Sequence, residues 1–495
     1  MRYKILSVCA ALAVVTACGD LTSINQNPNG PVDVPPPTLL GNLIQNAVGG
    51  VNGVNSLNIR GGGLWVQYYS EIQYRDEDKY IVRSGTSGGW GFYNGGLEDA
   101  QRIIQKGEAA SAPNWTAVGR IMKSYMFSVM TDAMGDVPYT QALKGDTILH
   151  PVYDSQQSIY DSLFASLAQA NGEFDFGSAA TGFPTGDVMY GGSMTKWRKF
   201  ANSLRLRLAM HLTQVDAVKA QTEAAAAVAA AGGLFLSNAD NAQLLYLASS
   251  PNRNPIYNDA RGRDDYGMSQ TFVDSLTSWA DPRLPVFAQL NDDTILANRT
   301  YQGLPNGLND GEGPNLFYIS RIGAFWRETP NAPMALLTYS EVLFLEAEAA
   351  ERGYIPGGTG AAATYYANAI TASMQQYGVA DSLTTQYLAR PEVAYDAAGA
   401  TLNGHLQQIA YQKWVSLFMQ GMESWTEVRR TRIPLLVPGP RAVFGAGVAG
   451  KIPERLPYDD QENVLNAGNV AAAVAAQGFS TSNDIQAPLW FTGRQ

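Results

Sequence analysis

Cysteine and histidine are almost absent from this chain of 495 residues, which carries two Cys and three His. Two Cys permit at most one disulfide, and Cys9 sits in an apolar leader, so neither a disulfide framework nor a Cys-rich metal site can be built. His150, His211 and His405 form no H-x-x-x-H pair, and no EF-hand spacing occurs. No metal or other cofactor is therefore expected. Beyond the leader, no apolar run approaches the roughly 18 residues of a membrane-spanning helix. Excess positive charge is missing too. The formal net charge is −10, which argues against nucleic acid or an anionic lipid surface as ligand.

What the N-terminus does have is the layout of an export signal. Arg2 and Lys4 precede the apolar stretch Ile5 to Val15, which is followed by Thr16-Ala17-Cys18. The pattern resembles the bacterial lipobox, in which the Cys is lipidated and the chain is cut before it. Residues 1–17 are thus expected to leave as a lipoprotein signal peptide, with Cys18 the lipidation site. Losing Arg2 and Lys4 takes the net charge from −10 to −12. Each buried CH₂ of an acyl chain contributes ~0.8 kcal/mol, so several chains anchor firmly. Residues 18–38 are polar and rich in Asn and Pro, and read as a flexible tether.

Helical periodicity dominates the remainder, residues 39–495, read as a single domain. Apolar residues recur at spacings of three and four over 115–134, 158–170 and 197–212. Helices are also expected over 338–352, 361–377, 406–419 and 424–432. The pair 338–352 and 361–377 approximates the helix hairpin of a tetratricopeptide repeat. Strand signal is confined to Gln243–Ala248. Segments 233–335 and 433–495 are rich in Gly, Pro, Asn and Asp, and read as long ordered loops of the kind that carry function. The expected fold class is all-α: tetratricopeptide-like helix pairs with long irregular ligand-binding loops.

Several stretches, taken in order, resemble the SusD/RagB family of outer-membrane nutrient-binding lipoproteins, in its SusD-like branch. They are Asn27-Pro28-Asn29, Trp65 to Tyr69 leading to Tyr74-Arg75-Asp76-Glu77-Asp78, and Gly135-Asp136-Val137-Pro138-Tyr139. Trp197 to Arg207, Leu337 to Ala349, and Gln412 through Trp425 complete the set. The resemblance implies a partner, a SusC-like TonB-dependent transporter barrel over which the lipoprotein sits as a lid, and an outer-membrane location facing the cell surface. Within the motif after residue 134, Gly135 is expected to take a left-handed position that closes a helix, with Pro138 preventing its continuation.

Catalytic motifs are weak. Gly85-Thr86-Ser87-Gly88-Gly89 fits G-x-S-x-G but lacks a following helix start. Ser193-Met194-Thr195-Lys196 fits S-x-x-K without its partner motifs, and is better read as a helix start. Asp264-Asp265 and Asn291-Asp292-Asp293 could hold calcium but read as surface turns, and the two N-x-T matches, at Asn114 and Asn298, as chance. A glycosidase needs two carboxylates facing one cleft. Glu346 and Glu348 point to different sides of a helix, and Glu341 lies about 10.5 Å from Glu348 along the axis. These acids are expected to face solvent or cap neighbouring repeats, and no catalytic residue is assigned.

Aromatics are the telling class: 9 Trp, 25 Tyr and 17 Phe. Trp65, Tyr68, Tyr69, Tyr74, Tyr80, Trp90, Phe92 and Tyr93 crowd together among Arg60, Arg75 and Arg83. A second group comprises Tyr257, Arg261, Arg263, Asp264, Asp265 and Tyr266, with Phe325 and Trp326 beyond. Aromatic faces suit sugar rings or peptide side chains, while Arg and Asp fix orientation. By the family motif, Tyr74, Asp78, Trp90 and Asn94 are the candidate ligand contacts. Tyr69, Arg261, Tyr266 and Trp326 join them from the aromatic groups, with Trp65 and Tyr68 open to a packing role instead. The expected function is capture of oligomeric nutrients, glycan first and peptide second, for delivery to the transporter. The alternatives are an interaction lipoprotein with no ligand of its own and an all-helical glycosidase.

Overall fold

A computed structural model describes residues 33–53, 56–82, 90–177, 180–444 and 450–493. Cys18, Arg83 and the G-x-S-x-G stretch 85–89 lie outside the described residues.

Four of the longer helices start where a short polar side chain satisfies a free backbone N–H group. Ser155 accepts from Ser158 N, Asp216 from Lys219 N, Thr338 from Glu341 N and Thr401 from Gly404 N. The longer helices, in chain order, are α1 (Pro36–Asn52), α2 (Gly96–Ala109), α3 (Pro113–Met134), α4 (Gln156–Glu173), α5 (Met194–His211) and α6 (Ala217–Ala229). After them come α7 (Gln270–Ser278), α8 (Tyr339–Glu351), α9 (Gly358–Gln376), α10 (Asp381–Leu388), α11 (Leu402–Ser416), α12 (Gly421–Thr431) and α13 (Ala467–Gln477). Consecutive helices pack as neighbours: α2 on α3, α3 on α4, α5 on α6, α8 on α9. The fold is therefore the helix-pair architecture expected, and Ser193 precedes a helix as the S-x-x-K reading required.

Among the described residues, strands are few and short. β1 (Tyr69–Glu71) pairs antiparallel with β3 (Tyr266–Met268), with Tyr69 opposite Met268 and Glu71 opposite Tyr266. β2 (Ala242–Leu245) pairs antiparallel with β4 (Pro333–Leu337). The expected strand at 243–248 is present but ends sooner.

Several expectations need correction. Helix α1 begins at Pro36, inside the segment read as tether, because Pro is tolerated in the first turn, where its missing N–H has no partner to lose. The segments read as loops contain α7 and α13. Gly135 does have a positive φ, 88°, but with ψ −126° it is not left-handed helical. Its need for Gly is steric as well, since a Cβ there would lie 2.1 Å from Gln477 Oε1.

The largest correction concerns Glu341 and Glu348. Both are buried. Arg207 clamps Glu341 through two bonds of 2.6 Å. Arg430 clamps Glu348 through two of 2.7 Å and reaches Glu427 at 2.6 Å. His211 bridges Asp132 (3.2 Å) and Glu423 (2.9 Å). Burial alone would lower its pKa, but those two carboxylates hold it up at about 9. Around this ionic seam the aromatics interlock: Trp65 meets Trp425 edge-on at 4.8 Å, and Tyr68 stacks on Trp414 at 5.6 Å. Tyr68 also donates to Ser424 Oγ at 2.8 Å. The central motifs of the family resemblance are therefore largely core.

Candidate ligand-binding cleft

Trp90 begins a short 3₁₀ turn ahead of α2, and its half-buried ring is held by three Tyr. Tyr153 stacks on it at 6.1 Å and 26°, Tyr93 meets it edge-on at 5.3 Å, and Tyr458 does so at 6.4 Å. All three Tyr are fixed in turn by hydrogen bonds, from Tyr93 OH to Pro138 O at 2.5 Å, from Tyr153 OH to Glu462 Oε2 at 3.0 Å and from Tyr458 OH to Asp136 O at 2.8 Å. The ring is thus preset in one orientation.

In front of it lies an open cleft of about 620 Å³, within the range of about 300–1,000 Å³ usual for ligand sites. Trp90, Tyr93, Asn94 and Glu98 form one wall. The stretch after the Gly135 motif supplies another, with Gln141, Lys144, Ile148 and Leu149, and Asp459, Glu462 and Leu465 close the third. The Gly135 motif shapes this wall. Asp136 Oδ1 accepts from the first N–H of α4 at 2.8 Å, and Asp154 accepts from Tyr139 N and Thr140 N at 2.9 Å each. Mixed acids, one Lys, amides and aromatic faces can hydrogen-bond hydroxyls and stack on apolar ring faces. Of the candidate residues, Trp90 and Asn94 meet in this cleft.

The others do not join them there. Tyr74 is 56% exposed, on the surface, with the Arg263 guanidinium 4.8 Å from its ring centre. Arg261 lies over Tyr257 at 3.5 Å and donates to Arg327 O at 2.7 Å. Tyr69 is fully buried, its hydroxyl donating to Met419 Sδ at 3.1 Å, and Tyr266 is buried in β3 opposite Glu71. Neither presents a face to a ligand, because strand pairing turns each ring into the core. Trp326 is also buried, against Tyr377 and Phe418. Residues of the 141–149 and 459–465 walls were not foreseen; their one sequence signal is their place in long aperiodic loops.

Asp78 is buried as well. It accepts from Ser70 Oγ (2.7 Å), Asn306 Nδ2 (2.6 Å) and Glu71 N (3.2 Å). Burial pushes its carboxyl up to about 6 against those hydrogen bonds. Beside it, burial and the charges of Asp78 and Glu77 push Glu71 up to about 9. A folded-state pKa above the unfolded value gives stability that is complete below about pH 4.5 and lost as pH rises toward 9. The slope is about 1.4 kcal/mol per pH unit for one such group. His211 acts in the same direction between about pH 6.5 and 9. Thermal melts should therefore show wild-type stability falling from pH 6 to 9. Glu71→Gln, which fixes the uncharged form, should flatten but not abolish that slope. Parallel slopes in the two proteins would refute the assignment.

A helical scaffold thus carries an aromatic cleft on irregular loops. The sequence matches the model of a family described as "Starch-binding associating with outer membrane" over residues 28–459. The chain belongs to this SusD-like family of outer-membrane-associated, nutrient-binding proteins. No curated protein matches it. Among solved structures, a SusD homologue from Bacteroides fragilis NCTC 9343 is 27% identical. It covers 94% of this chain and 100% of its own, with a TM-score of 0.79. A chitin-binding SusD homologue from Flavobacterium johnsoniae is also 27% identical, covering 92% and 97%, with a TM-score of 0.79. A further structure described as a chitin-binding protein is 28% identical, covering 92% and 99%, with a TM-score of 0.78. Among the described residues, no helix is long and apolar enough to cross a membrane.

Proposed function

We propose that this protein captures a glycan oligomer in the Trp90 cleft and passes it to a SusC-like TonB-dependent barrel in the outer membrane. The observation that carries the reading is the Trp90 ring, preset by Tyr93, Tyr153 and Tyr458 at the edge of a 620 Å³ cleft. Two chitin-binding relatives make chito-oligosaccharides the first ligands to try, ahead of malto-oligosaccharides and peptides. Tyr74, Arg261 and the buried Asp78 would then belong to a separate surface and its support. Lipidation at Cys18 would keep the cleft near the transporter mouth, raising effective concentration rather than affinity.

Calorimetry against those three ligand classes tests the reading. Saturable binding of one oligosaccharide series is expected, and binding of peptides alone would overturn the glycan assignment. Cys18→Ser should move the protein from the membrane to the soluble fraction, and continued membrane retention would refute the lipid anchor. A β-barrel transporter should co-purify from detergent-solubilised outer membrane, and its repeated absence would count against the partner.

A further inference from the structure

The charges that line the Trp90 cleft are unequal. Glu98, Asp459 and Glu462 stand against one cation, Lys144. Glu98 already has a partner, Arg102, at 3.0 Å. Glu462 has none of that kind. Its Oε2 accepts from Tyr153 OH at 3.0 Å and from Asn466 Nδ2 at 3.3 Å, and no Lys or Arg among the described residues pairs with it. Both bonds fall on one oxygen, which leaves Oε1 free in the half-buried wall. Burial, and after it the charge of Glu462, pushes the Tyr153 hydroxyl well above its usual pKa, so it stays a donor and keeps the carboxylate in place.

Tyr153 also sets where that carboxylate lies relative to the aromatic wall. Its ring stacks on Trp90 at 6.1 Å while its hydroxyl holds Glu462. The carboxylate therefore stands one Tyr side chain away from Trp90, a distance that a sugar ring and its substituents can span. An ammonium at that point gains a charge-assisted hydrogen bond to a carboxylate that no other cation occupies, and the aromatic rings beside it add to the attraction. A hydroxyl there gains only an ordinary hydrogen bond. A ligand carboxylate or sulfate meets like charge from Glu462 and Asp459, with Lys144 alone to offset it.

We propose, resting on the glycan reading of this cleft, that Glu462 makes it select oligomers of a cationic amino sugar over neutral and acidic ones. Calorimetry at pH 6 tests this with oligomers of glucosamine, N-acetylglucosamine and galacturonate of equal length. The glucosamine series should bind about tenfold tighter than its N-acetylated counterpart, and the galacturonate series about tenfold more weakly than that counterpart. Glu462→Gln keeps an acceptor for Tyr153 but removes the charge, and should bring the ratio of the first two to within about twofold. Raising salt from about 50 mM to about 500 mM should narrow the same ratio in the wild-type protein, and this decides the matter if Glu462→Gln fails to fold. Glucosamine binding no tighter than N-acetylglucosamine, or a preference untouched by Glu462→Gln or by salt, would overturn the selectivity while leaving the cleft a glycan site. Failure of all three series to bind, or binding of Lys-rich peptides alone, would overturn the glycan reading and this inference with it.

Discussion

Trp90→Ala should weaken oligosaccharide binding by 10- to 100-fold, equivalent to about 1.4–2.8 kcal/mol. The ring supplies large contact area at little entropic cost, because its three Tyr neighbours already hold it. An unheld side chain would have to be ordered on binding, which would offset part of the gain. Trp90→Phe keeps a face but loses area, so an intermediate loss is expected. Asn94→Ala removes one exposed hydrogen-bonding group and should cost less than Trp90→Ala. Calorimetry with the tightest oligosaccharide checks all three variants, with far-UV circular dichroism to establish that each is folded. Unchanged affinity in Trp90→Ala would place the site elsewhere, and the surface around Tyr74 and Arg263 would be the next to test.

The residues that carry this prediction were legible for a physical reason. Trp90 and Asn94 lie among glycines, where no apolar period gives a ring a partner along the chain. Their opposite walls were not legible. Gln141 and Lys144 lie about 50 positions beyond them and Glu462 more than 360, in aperiodic segments that only folding brings together. Aromatic density also misled. Tyr69 and Tyr74 are five residues apart, yet one is buried in a strand and the other is on the surface, and composition alone does not say which face a side chain takes. Helices show the same division. The stripes of α3 and α5 are large and apolar, so their period is visible. By contrast, α6 and α13 are built mainly of Ala, which packs well but gives little contrast between faces. Glu341 and Glu348 illustrate the remaining limit: a carboxylate on a helix reads as solvated until its Arg arrives from a distant helix.

That last pairing carries the second large effect. Arg430→Met should destabilise the protein by about 3 kcal/mol at pH 7. Its side chain is fully buried and pairs with Glu348 and Glu427 while donating to Thr213 Oγ1 at 2.7 Å. Removing it leaves two buried carboxylates short of a cation. The cost sits at the low end of the usual range of about 3–5 kcal/mol, because Arg352 still reaches Glu348 at 2.8 Å and Lys413 reaches Glu427 at 3.2 Å. The pH dependence separates charge loss from packing loss. Against the effect of burial, Arg430 and Arg352 hold the Glu348 carboxyl down at about 2. A depressed folded-state pKa gives stability that is present above the unfolded value of about 4.5 and lost as pH falls toward 2. Without Arg430 that contribution shrinks, so the deficit of the variant should narrow as pH drops from 7 to 4. A void left by the shorter side chain would give the same deficit at both values. Arg352→Ala removes a partly exposed pair one helical turn away and should cost no more than about 1 kcal/mol. Urea unfolding of the three proteins at pH 7 and pH 4 distinguishes these cases. A deficit for Arg430→Met below 1 kcal/mol at pH 7 would show that the ionic seam fixes the register of the helices without stabilising them.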